Sequence, residues 1–249
     1  MPRGPRQKSE TGIYHVMLKG IDGRNIFMQE GDRKKFLSQM LQAHEKGGFS
    51  ILAYCLMNNH VHLLLEENEE LGTIMKRITV GYALWHNHYY GRSGHLFQNR
   101  YLSEVVEKDE YLVTVARYIH QNPVKAGLVD KAVKYRWSSY QQYIDAYNGK
   151  AVQIHPDRIK VYFKTRADFE AFMNIQKDDK CLDYRNSSKV TDDQLAAKIK
   201  KDYQIRSVQK LAKEQRDQLI QDIYKNESTS IRQVARVLGV SKGVVEKAL

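Results

Sequence analysis

Two strand-like runs on either side of an Asn-Asn pair constrain the fold most. Residues 49–57 read FSILAYCLM, residues 60–67 read HVHLLLEE, and Asn58 and Asn59 lie between them. Apolar runs of this length bounded by turn residues are typical of β-strands. This stretch is therefore predicted to form a strand-turn-strand unit.

Hydrophobic period and turn residues predict the remaining elements. In chain order these are a strand at 13–20, a helix at 33–48 capped by Asp32, a helix at 71–90, a short strand at 101–106, a helix at 109–122 and a helix at 134–147. The helix at 109–122 is expected to stop at Asn122, because Pro123 lacks a backbone N–H and cannot continue it. Strands and helices in this order predict an α+β fold.

Composition changes along the chain suggest three segments. Residues 1–150 carry all the predicted strands, residues 151–185 look like a helical extension and a polar linker, and residues 186–249 are helical by period. The first segment is predicted to be one domain, and the last is predicted to be an all-α region.

The last twenty residues, SIRQVARVLGVSKGVVEKAL, have the spacing of a helix-turn-helix motif. Ala235, Gly239 and Val245 occupy the positions that need a small residue at the helix contact, a glycine in the turn and an apolar residue in the second helix. Lys242 and Lys247 could then face DNA phosphates or base edges, which predicts duplex DNA binding. The alternative is a helical hairpin that only packs or dimerises.

The charge balance favours a polyanionic partner. The chain has 40 Lys and Arg against 29 Asp and Glu, a net charge of +11, and it also has 16 tyrosines that bases could stack upon. No apolar run approaches the roughly 18 residues of a membrane span, and the basic N-terminus is not followed by the apolar core of a signal peptide. A cytoplasmic protein without a membrane partner is expected.

His60 and His62 are the first candidate functional residues. In a strand, residues two apart point to the same face, so these imidazoles lie side by side while Val61 points into the core. Two adjacent imidazoles form half of a metal site. The alternative is a pair of hydrogen-bonded polar residues on a solvated sheet face.

Tyr118 and Asn122 could supply the other half of that site. They are four residues apart in the helix at 109–122 and therefore share one helix face. An amide oxygen is an acceptable ligand for a hard divalent ion, and a phenol near such an ion loses its proton more easily. Taken alone, Tyr118 could equally be a core aromatic residue and Asn122 a helix-end residue.

Several motifs together resemble one protein family. The stretches YCLMNNHVHLLL and ARYIHQNPVKAGLV, with IYHVMLKG, GHLFQNRY and WSSY, are similar to the single-tyrosine HUH transposases of bacterial insertion sequences. The similarity is greatest to their relatives associated with repetitive extragenic palindromes. It covers roughly residues 10 to 145 and implies the HUH endonuclease core, a ferredoxin-like antiparallel sheet with helices on one face.

The resemblance also implies a function for each matched residue. His60 and His62 correspond to the metal ligands, Asn122 to a third ligand on the helix and Tyr118 to the nucleophile. The implied activity is that of a metal-dependent DNA strand transferase that uses Mg²⁺ or Mn²⁺ on single-stranded or hairpin DNA. The implied product is a 5′-phosphotyrosine link with a free 3′-OH. The turn KGIDGR departs from the arginine, glycine and asparagines expected there, which puts contacts made by that turn in doubt.

Other predictions concern DNA contacts and alternative functions. Arg92 and Arg100, in a loop with several glycines, are the preferred phosphate contacts, whereas Tyr82 and Trp85 lie on an apolar helix face that suits the core.

The family contains dimers and monomers, so a monomer or a homodimer is expected. The alternative function is that of a sequence-specific DNA-binding regulator with a non-catalytic core. A metal-dependent RNA nuclease has no separate support.

Overall fold

The computed structural model describes residues 6–183, 195–196, 199, 211–226 and 229–249. The chain divides into two compact units, Met1–Asp183 and Tyr184–Leu249. In the first unit, a four-stranded antiparallel sheet is combined with helices, and the described part of the second unit is helical. Among the described residues, no helix is long and apolar enough to span a membrane.

The first unit has the predicted α+β architecture. Its strands are β1 (Ile13–Lys19), β2 (Ser50–Leu56), β3 (His60–Glu66) and β4 (Leu102–Val105), in the sheet order β2-β3-β1-β4. Its α-helices are α1 (Glu30–Gly47), α2 (Leu71–Tyr89), α3 (Asp109–Lys125), α4 (Tyr140–Tyr147), α5 (Asp157–Lys160) and α6 (Arg166–Met173), and single 3-10 turns lie at Ile21–Gly23 and Ala132–Lys134. The central strands β1 and β3 are buried along almost their whole length, as the apolar runs predict.

Strand register places four polar side chains on one face of the sheet. His15 on β1 lies directly opposite Glu104 on β4, and β3 pairs with the other edge of β1. Directly opposed residues share a face, and so do residues two apart on a strand. His60 and His62 therefore lie on the face that carries His15 and Glu104, while Val61 is fully buried on the opposite face.

Helix α3 continues beyond Pro123, so the prediction that it stops at Asn122 is wrong. The helix ends at Lys125, and the amide of Ala126 still donates to the Asn122 carbonyl at 2.9 Å. Proline removes only its own amide donor, and near the end of a helix the remaining bonds hold the last turn. Asn122 therefore lies within a helical turn rather than at the helix end.

Two other predicted boundaries are also displaced. Helix α1 begins at Glu30, a few residues before the predicted start, because the Asp32 carboxylate accepts hydrogen bonds from the amides of Met28 and Gln29 at 2.6 and 3.0 Å from within the first turn. Helix α4 begins only at Tyr140, because the segment before it pairs with β2: the Leu56 amide donates to the Trp137 carbonyl at 2.9 Å.

The chain after α6 lies along α3. Arg117 on α3 makes two hydrogen bonds to the Asp179 carboxylate, at 3.0 and 2.8 Å, and its guanidinium lies over the Phe172 ring at 4.4 Å. Near the end of the unit, the Cys181 amide donates to the Asp179 carbonyl, and the Leu182 amide donates to the Glu104 carboxylate at 3.0 Å. This part of the extension is thus held to α3 and to the sheet edge.

Replacing Arg117 with alanine should destabilise the first unit strongly. The Arg117 and Asp179 side chains are only 5% and 7% exposed, so the variant leaves a buried carboxylate without its partner, at a cost of about 3–5 kcal/mol. Arg136→Ala breaks the Arg136–Glu30 pair, in which both side chains are more than half exposed, and should cost less than about 1 kcal/mol. Denaturant unfolding followed by tryptophan fluorescence reports on this unit alone, since both tryptophans lie in it. Equal losses for the two variants would contradict the buried pair.

The second unit contains α7 (Lys213–Asn226), α8 (Ile231–Leu238) and α9 (Lys242–Ala248). Ser230 caps the start of helix α8, and its hydroxyl accepts a hydrogen bond from the Gln233 amide at 3.2 Å. Gly239 caps the end in the left-handed conformation, φ 65°. Ala235 and Val245 are buried in the core that the three helices share. Within the predicted helical region 186–249, residues 186–194, 197–198, 200–210 and 227–228 lie outside the described residues.

Candidate active site

The structure brings His60, His62 and Tyr118 together. The two imidazoles project from β3 with ring centroids 5.2 Å apart and planes at 87°. Helix α3 places the Tyr118 ring edge-on to His62 at 5.5 Å. Asn122 lies one turn later on α3, where its side-chain nitrogen Nδ2 donates to the Tyr118 carbonyl at 2.9 Å. The side-chain oxygen Oδ1 takes no part in that hydrogen bond.

Hydrogen bonds orient the two histidines of β3. His60 Nδ1 lies 2.7 Å from Asn59 Oδ1, an acceptor, so the proton is on Nδ1 and the lone pair of Nε2 is free for a ligand. His62 Nδ1 lies 3.0 Å from His15 Nε2. His62 Nε2 is buried, and within the described part of the chain it has no hydrogen-bond partner. A buried imidazole nitrogen left in this way fits a metal ligand, because ligating histidines are held through their other nitrogen.

Both histidines are neutral at physiological pH. Burial lowers the pKa of His60 to about 4, with a further contribution from the nearby Lys19 charge. Burial also lowers the pKa of His62 well below its usual range. A neutral imidazole is the form that binds a metal ion. Among the described residues, no group of three or more His, Cys, Asp or Glu side chains could hold a metal, so further ligands would have to be amide, water or substrate oxygens.

Tyr118 is protonated at neutral pH. Its side chain is 5% exposed, and burial raises its pKa above the usual value. The Asp183 carboxylate accepts a hydrogen bond from the phenol and raises the pKa further through its charge, whereas a hydrogen bond with the Asn122 side chain opposes the rise. The exposed ammonium of Lys125 lies 4.9 Å from the ring centroid. A nucleophilic Tyr118 would need a proton acceptor, and Asp183 is in contact with it.

The predicted DNA-contact residues lie in two places. Arg92 is half-buried and Arg100 is exposed, both in the loop between α2 and β4. This loop is joined to the end of β1 that lies beside His60, because the Gln98 amide donates to the Lys19 carbonyl at 2.7 Å. Tyr82 is fully buried, as its position on the apolar face predicts.

In the second unit, Lys242 and Lys247 are both exposed on α9. Lys242 is paired with Glu246 on the same helix at 2.5 Å.

Sequence reasoning missed three residues near the site: His15, Glu104 and Asp183. The alternation of IYHVMLK places His15 on one face of its strand, but only the strand register shows that this face is shared with His62. Asp183 is separated from Tyr118 by 65 positions (183 − 118) in a stretch that reads as a polar linker, and no sequence signal connects them.

His60, His62, Tyr118 and Asn122 all lie within the part of the chain that matches one family model. The sequence model of the IS200-like transposases matches residues 8–122, a range that begins before β1 and ends at Asn122. This segment is similar in sequence to the IS200-like transposase family. The predicted resemblance to single-tyrosine transposases is thereby confirmed.

Two other comparisons find proteins similar to this chain. A Haemophilus influenzae protein named as a REP-associated tyrosine transposase is 25% identical over 154 residues, which cover 57% of this chain and 86% of that protein. A solved structure of a REP-associated tyrosine transposase bound to a REP hairpin matches with a TM-score of 0.51 and 16% identity, covering 64% of this chain and 93% of that one. At this identity the structural likeness shows the fold alone, and it confirms the predicted fold class.

Proposed function

We propose that this protein is a transposase that nicks and rejoins single-stranded or hairpin DNA through a covalent bond to Tyr118. One observation carries the proposal: the Tyr118 ring packs against His62, whose Nε2 is buried and, among the described residues, has no hydrogen-bond partner. A tyrosine nucleophile beside a half-built metal site is the arrangement that metal-assisted phosphoryl transfer needs.

In the proposed cleavage step, Tyr118 Oη forms a bond to the scissile phosphorus and the P–O3′ bond breaks. The products are a 5′-phosphotyrosine and a free 3′-OH. The phenol proton has to leave, and the Asp183 carboxylate, which accepts the hydrogen bond of that phenol, is placed to receive it. The leaving 3′ oxygen takes up a proton from water to give the 3′-OH. A 3′-OH can later attack the phosphotyrosine, because the phenolate, of pKa about 10, is a better leaving group than an alkoxide.

His60 and His62 would hold a divalent cation, Mg²⁺ or Mn²⁺, through their Nε2 atoms, with Asn122 Oδ1 as a third ligand. When bound, such an ion polarises a non-bridging phosphate oxygen and stabilises the leaving oxygen, an effect usually worth several kcal/mol. Asn59 and His15 orient the two imidazoles through their Nδ1 atoms. The bond from the Asn122 amide nitrogen to the Tyr118 carbonyl directs Oδ1 away from the helix backbone.

The substrate is proposed to be unpaired at the scissile phosphate. Tyr118 is 5% exposed between α3 and the sheet, so a regular duplex would hold its phosphate out of reach. The net charge of +11 favours DNA, and Arg92 and Arg100 extend from a loop joined to the His60 end of the sheet. The fold relative bound to a REP hairpin supports a hairpin as the first substrate to test.

An adduct assay tests this function. The protein is incubated with 3′-end-labelled hairpin oligonucleotides that have single-stranded flanks, in Mn²⁺ or in EDTA, and is then denatured in SDS. A labelled band that resists SDS, forms only with the metal ion and disappears after proteolysis is expected. Absence of an adduct with a broad panel of hairpins, under conditions in which the protein binds them, would contradict the proposal and favour the DNA-binding regulator.

Helices α8 and α9 support a second function, duplex DNA binding by the C-terminal unit. The left-handed turn at Gly239 joins two short helices, and α9 carries the exposed Lys242 and Lys247. If these lysines contact phosphates, replacing both by alanine should weaken binding of all duplexes and reduce the slope of log K against log salt by about 2.

The control for the lysine experiment removes the same charge from α7. Lys213 and Lys225 are exposed at the two ends of that helix, so their double alanine variant has the same net charge. Fluorescence anisotropy with a labelled duplex measures both variants across a salt series. Identical slopes would show that α9 has no special role and that only net charge matters.

A further inference from the structure

His15 lies between His62, the proposed metal ligand, and a carboxylate. It is fully buried on β1, and its Nε2 lies 3.0 Å from His62 Nδ1. Its other nitrogen, Nδ1, faces Glu104 Oε2 at 3.9 Å across the β1–β4 pair. Among the described residues this nitrogen has no hydrogen-bond partner at normal distance. The three side chains thus form a row on one face of the sheet.

The hydrogen bond between His15 Nε2 and His62 Nδ1 can have its proton on either nitrogen. Only one of these arrangements suits both Glu104 at one end of the row and the free nitrogen of His62 at the other. If His15 Nε2 carried the proton, its Nδ1 lone pair would face the Glu104 carboxylate and His62 Nε2 would carry a buried proton without an acceptor. If His62 Nδ1 donates to His15 Nε2 instead, His15 Nδ1–H faces the carboxylate. The lone pair of His62 Nε2 is then free for a metal ion.

The Glu104 carboxylate is itself held in place. Its Oε2 accepts hydrogen bonds from the Tyr111 hydroxyl at 2.7 Å and from the Leu182 amide at 3.0 Å. Tyr111 lies on α3, two turns before Tyr118, and Leu182 lies next to Asp183. Groups from α3 and from the end of the unit therefore fix the carboxylate that faces His15.

We propose that His15, which faces Glu104, is a positioning residue that keeps His62 in the tautomer able to bind the metal ion. The proposal rests on the function proposed above, since it assumes that His62 is a ligand. Asn59 performs the equivalent task for His60 directly at 2.7 Å. His62 is fully buried, where a hydrated carboxylate could not bond to it directly. The neutral imidazole of His15 lies between His62 and Glu104 and takes the place of such a partner. Outer partners of this kind typically change metal affinity by about 10–100-fold.

Mn²⁺ titration of the full chain, by calorimetry or by electron paramagnetic resonance of the free ion, tests the proposal. His15→Leu should lower Mn²⁺ affinity by about 10–100-fold, and His15→Gln, whose amide oxygen can still accept from His62 Nδ1, should recover most of it. His120→Leu is the matched control, because His120 is an equally buried histidine bonded to Ser139 on the other side of α3. Wild-type affinity in a folded His15→Leu protein would overturn the proposal.

A measurement on the unaltered protein avoids any folding defect of the variants. Long-range ¹⁵N–¹H NMR of the histidine rings, in metal-free protein, should show the proton of His62 on Nδ1; a proton on Nε2 would overturn the proposal. The result also separates this proposal from the proposed function. Loss of Mn²⁺ binding in His62→Ala but not in His15→Leu would overturn only the positioning role, whereas a wild-type protein that binds no Mn²⁺ would overturn both.

Discussion

Tyr118→Phe should reduce formation of the covalent protein–DNA adduct by at least about 1,000-fold. The substitution removes only the phenolic oxygen, the atom that is proposed to bond to phosphorus, and no other group can replace it in the same geometry. The remaining ring still packs against His15 and His62 at 5.8 and 5.5 Å. The fold, hairpin binding and Mn²⁺ binding should therefore be retained, so the loss will be one of chemistry alone. Gel analysis of the SDS-resistant adduct, with hairpin affinity measured in parallel, checks this.

Tyr101→Phe is the matched control for that experiment. Tyr101 is a partly buried tyrosine of the same unit that stacks with Arg6 at 3.8 Å, and it makes no contact with the histidine pair in the described structure. Its phenylalanine variant should form the adduct at close to the wild-type rate. An undiminished adduct in Tyr118→Phe would show that a different residue is the nucleophile.

Replacing His62 with alanine should abolish both Mn²⁺ binding and metal-dependent cleavage. Because the described residues contain no cluster of three or more His, Cys, Asp or Glu that could hold a metal, no such side chain replaces a lost imidazole. His60→Ala should have the same direction of effect, although His60 is only half-buried and solvent can fill its place. His88→Ala removes an exposed histidine from α2 and should leave both properties unchanged. Isothermal titration with Mn²⁺ and the adduct assay measure the two properties separately.

The same site predicts an unusual pH dependence of metal binding. An exposed histidine pair becomes protonated near pH 6.5 and releases its metal ion as the pH falls through that value. Burial lowers the pKa of His60 to about 4 and that of His62 well below the usual range, so both imidazoles stay neutral at lower pH. Mn²⁺ affinity should therefore be nearly constant from pH 7 to pH 5. A tenfold fall over that interval would show that the pair is solvated.

Local sequence patterns predicted the strands, most helices and the side-by-side histidines. These features depend on neighbours within a few residues: the alternation around His60 and His62 fixes their shared face, and the four-residue spacing of Tyr118 and Asn122 fixes theirs. The apolar character of residues around Val61 is enough to bury the strand. The resemblance to a known family then connected the two local patterns into one site.

Features that depend on distant parts of the chain were beyond local patterns. Strand order brings β4 beside β1, and this places Glu104 opposite His15, which no periodicity records. The contact of Asp183 with Tyr118 depends on the path of the extension along α3, which is set by the Arg117–Asp179 pair. Helix α3 continues past Pro123 because backbone hydrogen bonds such as that from Ala126 to Asn122 hold its last turn, although proline usually ends a helix.

The identity of the residue that becomes linked to DNA is the most direct test of the account. The adduct formed on a hairpin in Mn²⁺ is digested with trypsin and nuclease, and the remaining nucleotide-bearing peptide is sequenced by mass spectrometry. We expect a nucleotide joined by its 5′ phosphate to the peptide that contains Tyr118. Linkage to any other residue, or through a 3′ phosphate, would contradict it.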